Sequence, residues 1–235
     1  MKDAVIFDLG NTLVSYYTRS EWPDILARAI DEVTAYLRSR GLLRIGPAEL
    51  PTRVEGEREE PKDHRVKPLE GRLARIFDLS DGDLADGVAM EMCRRFMTPT
   101  FAVGRRYDDA LPTLAALRQH GLRTAILSNT PWGSPAELWR EEVDRHGLTE
   151  AVDAVAFCRD VGFRKPARQA FELVMKALGV TADRCLFVGD DPRWDIVGPR
   201  GVGMEAVLID RAGSAQGDGG GETRIHSLSE LLERL

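Results

Sequence analysis

Short apolar segments of strand length recur along the chain. They are AVIFD (4–8), TAILS (124–128), AVAFC (154–158), CLFVG (185–189) and AVLID (206–210). Helical patterns separate the later ones, at 108–120, 135–146 and 167–178. Strands that alternate with helices pair in parallel through right-handed crossovers. The pattern therefore predicts an α/β fold built on a doubly wound parallel sheet.

The segment from about residue 20 to residue 97 breaks this alternation and has the pattern of helices only. One apolar stripe ends near Gly41 and contains Trp22, Ile25, Leu26, Ile30, Val33 and Leu37. A polar run, RVEGEREEPKDHRVKP (53–68), follows, and helical spacing resumes at 69–77 and 84–97. We predict a helical cap domain, residues 16–99, inserted into an α/β core of residues 1–15 and 100–235. Residues 101–107 would be the return linker, and a glycine-rich loop (212–222) would precede a last helix over 227–235.

Composition and charge argue against several classes of function. The 235 residues carry a net charge of −6, which disfavours a nucleic-acid-binding surface. No apolar run approaches the roughly 20 residues that span a bilayer, and the chain starts with a strand rather than a signal peptide. Cys93, Cys158 and Cys185 form no C-x-x-C pair, and the last two lie in apolar segments. We therefore expect buried free thiols in a cytoplasmic protein that binds neither nucleic acid nor membranes.

Polar residues with catalytic potential follow four of the predicted strands. They are Asp8; Ser128 and Asn129; Lys165 before a proline; and Asp190, Asp191 and Asp195. Because the carboxyl ends of parallel strands meet at one edge of a sheet, these groups should surround one small ligand. A carboxylate nucleophile, a hydroxyl, a fixed cation and an acidic metal site suit phosphoryl transfer. Each motif alone also has an ordinary structural explanation, such as an Asx turn at Asp8 or a helix cap at Asp191.

The four motifs, in this order, resemble those of the haloacid dehalogenase-like hydrolases, most of which are phosphatases. The usual first motif in that family is F-D-x-D-G-T-L, and this chain has FDLGNTL from Phe7 to Leu13. The later motifs are ILSNT, GFRKPARQAF and FVGDDPRWD, and the resemblance extends from end to end. It implies a Rossmann-like core with a helical cap, and hydrolysis of a small phosphorylated metabolite.

The resemblance also implies a role for each matching residue. Asp8 would be the nucleophile that forms an aspartyl-phosphate, and Lys165 the cation that neutralises charge beside it. Thr12 would brace the turn after the first strand. Ser128, with Asn129 behind it, would bind the phosphoryl oxygens together with Thr12 and Lys165.

The resemblance also implies a magnesium site. Its ligands would be the carboxylates of Asp8 and Asp190 and the backbone carbonyl of Gly10, with Asp195 and Asp191 in support. Mg²⁺ prefers oxygen ligands and keeps several of its waters, which fits so small a set of protein ligands.

Gly10 departs from the family pattern. In the family's phosphatases an aspartate at this position gives its backbone carbonyl to the metal and its side chain to proton transfer. Glycine keeps only the carbonyl, and Asn11 cannot replace the acid because an amide does not titrate. A positioned general acid–base is worth ~10²–10⁴ in rate. We therefore expect a phosphatase whose leaving group is good, or is protonated by water or by a cap residue such as His64.

Other interpretations stay open. A metal-independent 2-haloacid dehalogenase needs no proton for a departing halide. That branch, however, carries an aromatic residue at the Gly10 position, an uncharged residue at the Asp190 position, and a tyrosine where this chain has Phe171. A phosphonate hydrolase would use a small residue at position 10 and a cap lysine, Lys62 or Lys67. The interpretation as a binding protein with an inactive site is supported by Gly10 alone. A mutase fits least, because it needs the missing proton shuttle repeatedly.

The cap and the loops beside it select the substrate in capped members of the family. The candidates here are Tyr16, Tyr17, Arg53, His64, Arg65 and Trp132. A cap that closes over its ligand favours a small phosphorylated metabolite over a protein substrate. We expect a monomer or a homodimer.

Overall fold

The computed structural model describes residues 2–211, 213 and 223–233. Its strands, in chain order, are β1 (Ala4–Phe7), β2 (Val14–Ser15), β3 (Arg105–Arg106), β4 (Arg123–Ser128), β5 (Ala154–Phe157), β6 (Cys185–Gly189), β7 (Glu205–Ile209) and β8 (Thr223–Ile225). Six of them form one sheet in the order β5-β4-β1-β6-β7-β8, and each neighbouring pair is parallel. The predicted doubly wound α/β core is confirmed.

Helices cover the sheet and fill the segment between β2 and β3. They are α1 (Trp22–Ser39), α2 (Leu50–Gly56), α3 (Leu69–Phe77), α4 (Val88–Val103), α5 (Ala110–Gln119), α6 (Ala136–Arg145), α7 (Cys158–Val161), α8 (Arg168–Leu178), α9 (Gly198–Gly201) and α10 (Ser229–Leu232). Two short 3-10 turns, Pro131–Gly133 and Ala182–Arg184, and a π-helical turn, Pro192–Val197, complete the described elements.

Strand β1 lies at the centre of the sheet and is buried on both faces. Its four residues alternate in direction, as strand residues must. Val5 and Phe7 pack into the apolar cluster that includes α1, α4 and α5, whereas Ala4 and Ile6 pack into the cluster under α8. All four side chains are fully buried. A strand apolar on both faces is expected where helices cover both sides of a parallel sheet.

The helical insertion, α1–α4, begins and ends at the small antiparallel ribbon of β2 and β3, in which Val14 pairs with Arg106. The predicted return linker over 101–107 is wrong at its start, because α4 continues through Val103 before β3. The helix continues because Phe101 packs edge-on against Trp139 at 5.1 Å between ring centroids. The cap boundaries at 15/16 and 99/100 stay predictions, and α4 crosses the second.

Several smaller predictions can be compared with the structure. Cys93, Cys158 and Cys185 are free and buried, and no helix among the described residues is long and apolar enough to cross a membrane. The last helix, α10, begins at Ser229 and is shorter than the predicted 227–235. The predicted glycine-rich loop over 212–222 lies outside the described residues apart from residue 213.

Candidate active site

Asp8 follows the last residue of β1, at the carboxyl edge of the sheet. Its backbone N–H donates to the Val188 carbonyl of the neighbouring strand (2.9 Å), which fixes the strand end in register. One side-chain oxygen, Oδ1, accepts hydrogen bonds from Ser128 Oγ (3.0 Å) and from Lys165 Nζ (2.6 Å). Among the described residues no group donates to the other oxygen, Oδ2. The sheet thus brings together Asp8, Ser128 and Lys165 from distant parts of the sequence.

Lys165 is held between two carboxylates. Its ammonium lies 2.6 Å from Asp8 and 2.7 Å from Asp195, and the residue is only 2 % exposed. Asn129 fixes the lysine backbone from both sides, accepting from Lys165 N (2.8 Å) and donating to Lys165 O (3.2 Å). Burial alone would lower the pKa of Lys165, but the charges of Asp195 and Asp8 raise it above its usual range. The site therefore holds a permanently charged ammonium.

Three carboxylates converge beside this lysine. Asp8, Asp190 and Asp195 each offer an oxygen, and these oxygens lie within 4.8 Å of one another. Burial raises the pKa of Asp190, and the charges of Asp8 and Asp195 raise it further. Burial also raises the pKa of Asp195, against the opposing charge of Lys165. Without a further cation, the cluster therefore favours protonated forms of Asp190 and Asp195.

The loop after β6 places two of these acids. Asp191 caps the π-helical turn, accepting from the backbone N–H groups of Arg193 (2.9 Å) and Trp194 (3.2 Å), as the capping explanation of that residue predicts. The Asp191 N–H donates to Asp195 Oδ2 (3.1 Å) and so orients that carboxylate. Asp195 packs so closely on the strand end that a Cβ on Gly189 would collide with it. The glycine is therefore required by this close approach.

Gly10 lies between Asp8 and the start of the insertion. A Cβ added there would meet only Tyr16 Cδ2, at an ordinary 3.8 Å, and the Gly10 backbone lies outside the left-handed region. The Tyr16 hydroxyl points to Glu142 Oε1 (3.3 Å) rather than into the site. Burial raises the pKa of Tyr16, and Glu142 raises it further, so this phenol stays protonated. Neither Gly10 nor the neighbouring Tyr16 hydroxyl therefore offers the site a titratable group.

A cavity of about 410 Å³ opens above Asp8 and contains the predicted catalytic and acidic groups. Five of its wall residues are aromatic, and three of these were not predicted as site residues: Trp22, Trp139 and Trp194. Trp194 could have been found, since it stands inside the FVGDDPRWD motif. Trp22 matched the apolar stripe of α1 and was therefore assigned to the core. Tyr16 and Tyr17, which were predicted to contact substrate, line this cavity.

The other predicted substrate and phosphate contacts lie outside this cavity. His64 and Trp132 line a neighbouring cavity, and Trp132 stacks on Phe96 with 5.4 Å between centroids. Arg53 on α2 pairs with Glu49 at 3.4 Å, and Arg65 lies over the Phe163 ring at 5.0 Å. Both arginines are thus held by neighbours on the surface.

Thr12 is fully buried behind the site. Its carbonyl accepts from Arg211 Nη2 (2.7 Å), and its hydroxyl is buried without a hydrogen-bond partner among the described residues. A brace for the turn fits this position, whereas its predicted share in phosphoryl binding stays a prediction.

The family model of haloacid dehalogenase-like hydrolases matches residues 2–203, nearly the whole chain. The chain belongs to the haloacid dehalogenase-like hydrolases. It is therefore a hydrolase, as the resemblance of its motifs to this family predicts.

The relatives of this hydrolase include phosphatases and 2-haloacid dehalogenases. It is 35% identical over 128 residues to the phosphoserine phosphatase of Thermus thermophilus, covering 53% of this chain and 50% of that protein. It is 33% identical over 131 residues to (S)-2-haloacid dehalogenase 1 of a Pseudomonas species, covering 55% of this chain and 56% of that protein. The chain thus spans about half the length of these relatives in the matched regions.

Solved structures extend the likeness over the whole fold. A phosphatase of this family from Thermococcus onnurineus is 27% identical, with a TM-score of 0.68, over 100% of this chain and 97% of that one. This hydrolase therefore shares its overall fold with a phosphatase of the same family.

Proposed function

We propose that this hydrolase is a magnesium-dependent phosphatase that acts on a small phosphomonoester through an aspartyl-phosphate on Asp8. The observation that supports the proposal most is the hydrogen bonding of the Asp8 carboxylate. Lys165 and Ser128 hold its Oδ1, while Oδ2 accepts no hydrogen bond from a described residue and Asp8 lines the catalytic cavity. A nucleophile held by one oxygen and free at the other is pre-oriented for attack.

The donor set of the site fits a magnesium ion. Asp8, Asp190 and Asp195 bring three carboxylates within 4.8 Å, and Lys165 supplies one positive charge. If all are ionised, two negative charges stay unbalanced, which a divalent cation would neutralise. Asp8 and Asp190, with the Gly10 carbonyl, would hold the ion. Asp195 would stay on Lys165. A bound magnesium ion would supply charge stabilisation for the phosphoryl oxygens.

The chain's own residues then define two steps. Asp8 Oδ2 attacks the phosphorus, the bond from phosphorus to the leaving oxygen breaks, and the phosphoryl group stays on Asp8. Water next attacks that phosphorus and releases inorganic phosphate, which restores the carboxylate. Lys165 and Ser128, already within hydrogen-bond distance of Asp8, lie where they can stabilise the charge on the transferring group. Because position 10 is glycine, the leaving oxygen takes its proton from water or departs as an anion.

A 2-haloacid dehalogenase is the second candidate. It is supported by Gly10, since a halide needs no proton, and by the dehalogenase of the Pseudomonas species that this chain resembles. Asp190 counts against it. This half-buried carboxylate near Asp8 repels the nucleophile's charge unless a cation lies between them.

Neither cap lysine supports phosphonate cleavage through a Schiff base. Lys67 pairs with Glu57 at 2.5 Å, and Lys62 lines the neighbouring cavity rather than the one above Asp8. The phosphatases among the relatives support a small phosphorylated substrate. The cytoplasmic location and the choice between monomer and homodimer stay predictions.

One experiment separates these functions. Purified protein is given p-nitrophenyl phosphate or 2-chloropropionate, each with magnesium and with EDTA, alongside the variant Asp8→Asn. The phosphatase proposal expects phosphate release that needs magnesium and disappears in Asp8→Asn. Halide release unaffected by EDTA would replace it with the dehalogenase. Full activity of Asp8→Asn would refute both, and magnesium binding without any turnover would indicate a binding protein.

A further inference from the structure

A second cavity of about 520 Å³ adjoins the catalytic one. The two share five wall residues: Tyr17, Trp22, Asn129, Pro131 and Trp194. The two cavities therefore adjoin along these residues, which places the second cavity beside the one that contains Asp8. Their volumes are in the range of sites for small metabolites.

The second cavity is cationic. Among the described residues that line it, Arg58, Lys62, Arg164 and Arg193 are basic, and Glu60 is acidic. The excess of positive charge is local, because the chain as a whole carries −6. Such a concentration of one sign in a cleft attracts a ligand of the opposite sign.

Two of these cations have partners and two are available to a ligand. Arg58 pairs with Glu55 at 3.0 Å, and Arg164 lies 3.7 Å from Glu60. The side chains of Lys62 and Arg193, which are exposed residues, make no hydrogen bond or ion pair within the described part of the chain. An incoming anion would not have to displace an existing carboxylate from either one.

The cations are fixed relative to the catalytic groups. Arg164 directly precedes Lys165, and Arg193 lies within the acidic loop of the site, between Asp191 and Asp195. The cap segment 57–68, which carries Lys62, is bound to the loop before Lys165 by backbone hydrogen bonds. Val66 N donates to Gly162 O (2.9 Å), and Arg164 N donates to His64 O (2.8 Å). The second cavity is therefore built from cap and core together.

We propose that the substrate carries a second anionic group, a phosphate or a carboxylate, which binds Lys62 and Arg193 while its phosphoryl group lies at Asp8. The uncharged part of the substrate packs against the aromatic walls that the two cavities share. This inference rests on the proposed phosphatase function and names the class of its substrate: small phosphomonoesters with two separated anionic groups.

The test compares substrates that differ in the second group. These are p-nitrophenyl phosphate, a sugar monophosphate, the corresponding sugar bisphosphate and a phosphorylated hydroxy acid. The wild type should have a kcat/KM for one of the last two at least about tenfold above that for the sugar monophosphate. Preference for the bisphosphate identifies the second group as phosphate, and preference for the hydroxy acid identifies it as carboxylate.

Charge reversal then assigns the residues. In Lys62→Glu combined with Arg193→Glu, the ratio of kcat/KM for the preferred substrate to that for p-nitrophenyl phosphate should fall about tenfold, mainly through KM. Exposed cations outside both cavities supply the matched control, Lys176→Glu combined with Arg200→Glu, in which the ratio should not change.

The outcomes separate the two proposals. Hydrolysis of p-nitrophenyl phosphate without preference for either doubly anionic substrate would overturn the second anionic group and leave the phosphatase in place. An unchanged ratio in the Lys62 and Arg193 double variant would overturn their role in the same way. Absence of phosphate release from every substrate would overturn both the function and the inference that rests on it.

Discussion

Gly10 has room for a Cβ atom, the first side-chain atom of the aspartate that the family's phosphatases carry there. A Cβ at this position meets only the Tyr16 ring at 3.8 Å, and the backbone is not left-handed. Gly10→Asp should therefore fold and restore a proton donor beside Asp8. Phosphatase turnover on a substrate with a poor leaving group should rise about 10²-fold. The measurement is kcat for an alkyl phosphomonoester with magnesium present.

Gly10→Ala is the matched control, because it adds the same Cβ without the acid. Turnover in the alanine variant should stay near the wild-type value. If Gly10→Asp and Gly10→Ala both lose activity, the small residue is itself required, and the interpretation of Gly10 as a lost acid is wrong.

Lys165 should contribute both to the stability of the fold and to activity, and the two contributions can be measured separately. Lys165→Met keeps a similar length but leaves Asp8 and Asp195 buried together without their cation. Breaking such a buried pair costs about 3–5 kcal/mol in the free energy of unfolding. Urea unfolding should show this loss, and phosphate release should disappear.

The double variant Lys165→Met with Asp195→Asn distinguishes charge from packing. Removing one of the two stranded carboxylates should recover part of the lost stability but none of the activity. Equal stability of the single and double variants would show that the two charges do not interact as the geometry requires.

At the scale of elements, the close contact between the cap segment 57–68 and the turn Pro131–Gly133 can be tested by substitution. Gly133 has a φ of 66°, and a Cβ there would collide with the Lys67 carbonyl. Gly133→Ala should therefore destabilise the protein by more than the ~1–2 kcal/mol that a left-handed alanine costs. It should also displace the cap segment and raise KM. Thermal unfolding and KM are the measurements.

Gly121→Ala measures the backbone cost alone. Gly121 also has a positive φ, 76°, but a Cβ there meets nothing within 4 Å. The Gly121→Ala variant should lose only the stability that a left-handed alanine costs, and its KM should not change. If the two variants lose equal stability and both keep KM, the close approach between Gly133 and Lys67 has no energetic weight.

The elements that define the core could be predicted because each carries its own pattern. Strand β1 is apolar on both faces and ends at Asp8, so both its burial and its position followed from the sequence. Strand β8 could not be predicted in this way, because three residues give too short a pattern. The continuation of α4 depends on packing between Phe101 and Trp139, which lie far apart in sequence.

Some parts of the candidate site could likewise be predicted from the sequence, and others could not. The order and placement of Asp8, Ser128, Lys165 and Asp190 could be predicted, since strand ends converge at one sheet edge. The attachment of the cap segment through Val66 and His64 could not. It uses backbone groups, and these have no signature in a list of side chains.

At the scale of the whole molecule, metal binding and pH should be linked. Burial and neighbouring charges raise the pKa of Asp190, and burial raises that of Asp195, so the folded protein holds these protons more tightly than the unfolded chain does. The stabilisation is complete below the ordinary carboxyl range of about 4 and is lost as pH rises through the raised values. Stability of the magnesium-free protein should therefore fall between about pH 5 and about pH 8.

Magnesium should reverse this trend, because it binds the deprotonated carboxylates. Saturation at 100 Kd stabilises the fold by about 2.7 kcal/mol. The rise in Tm on adding magnesium, followed by scanning calorimetry, should be larger at about pH 8 than at about pH 5. In Asp190→Asn the rise should vanish. A shift that is independent of pH would contradict binding at these carboxylates.

The central position of β1 has a consequence for the order in which the protein can form. Ala4 pairs with Arg123 on one side and with Cys185 on the other. Strand β1 therefore precedes both of its neighbouring strands by more than a hundred residues in the sequence. At ~5–20 residues per second, a fully apolar strand waits for seconds before either neighbour is synthesised. During that time, both of its apolar faces lack the cover that they have in the folded protein.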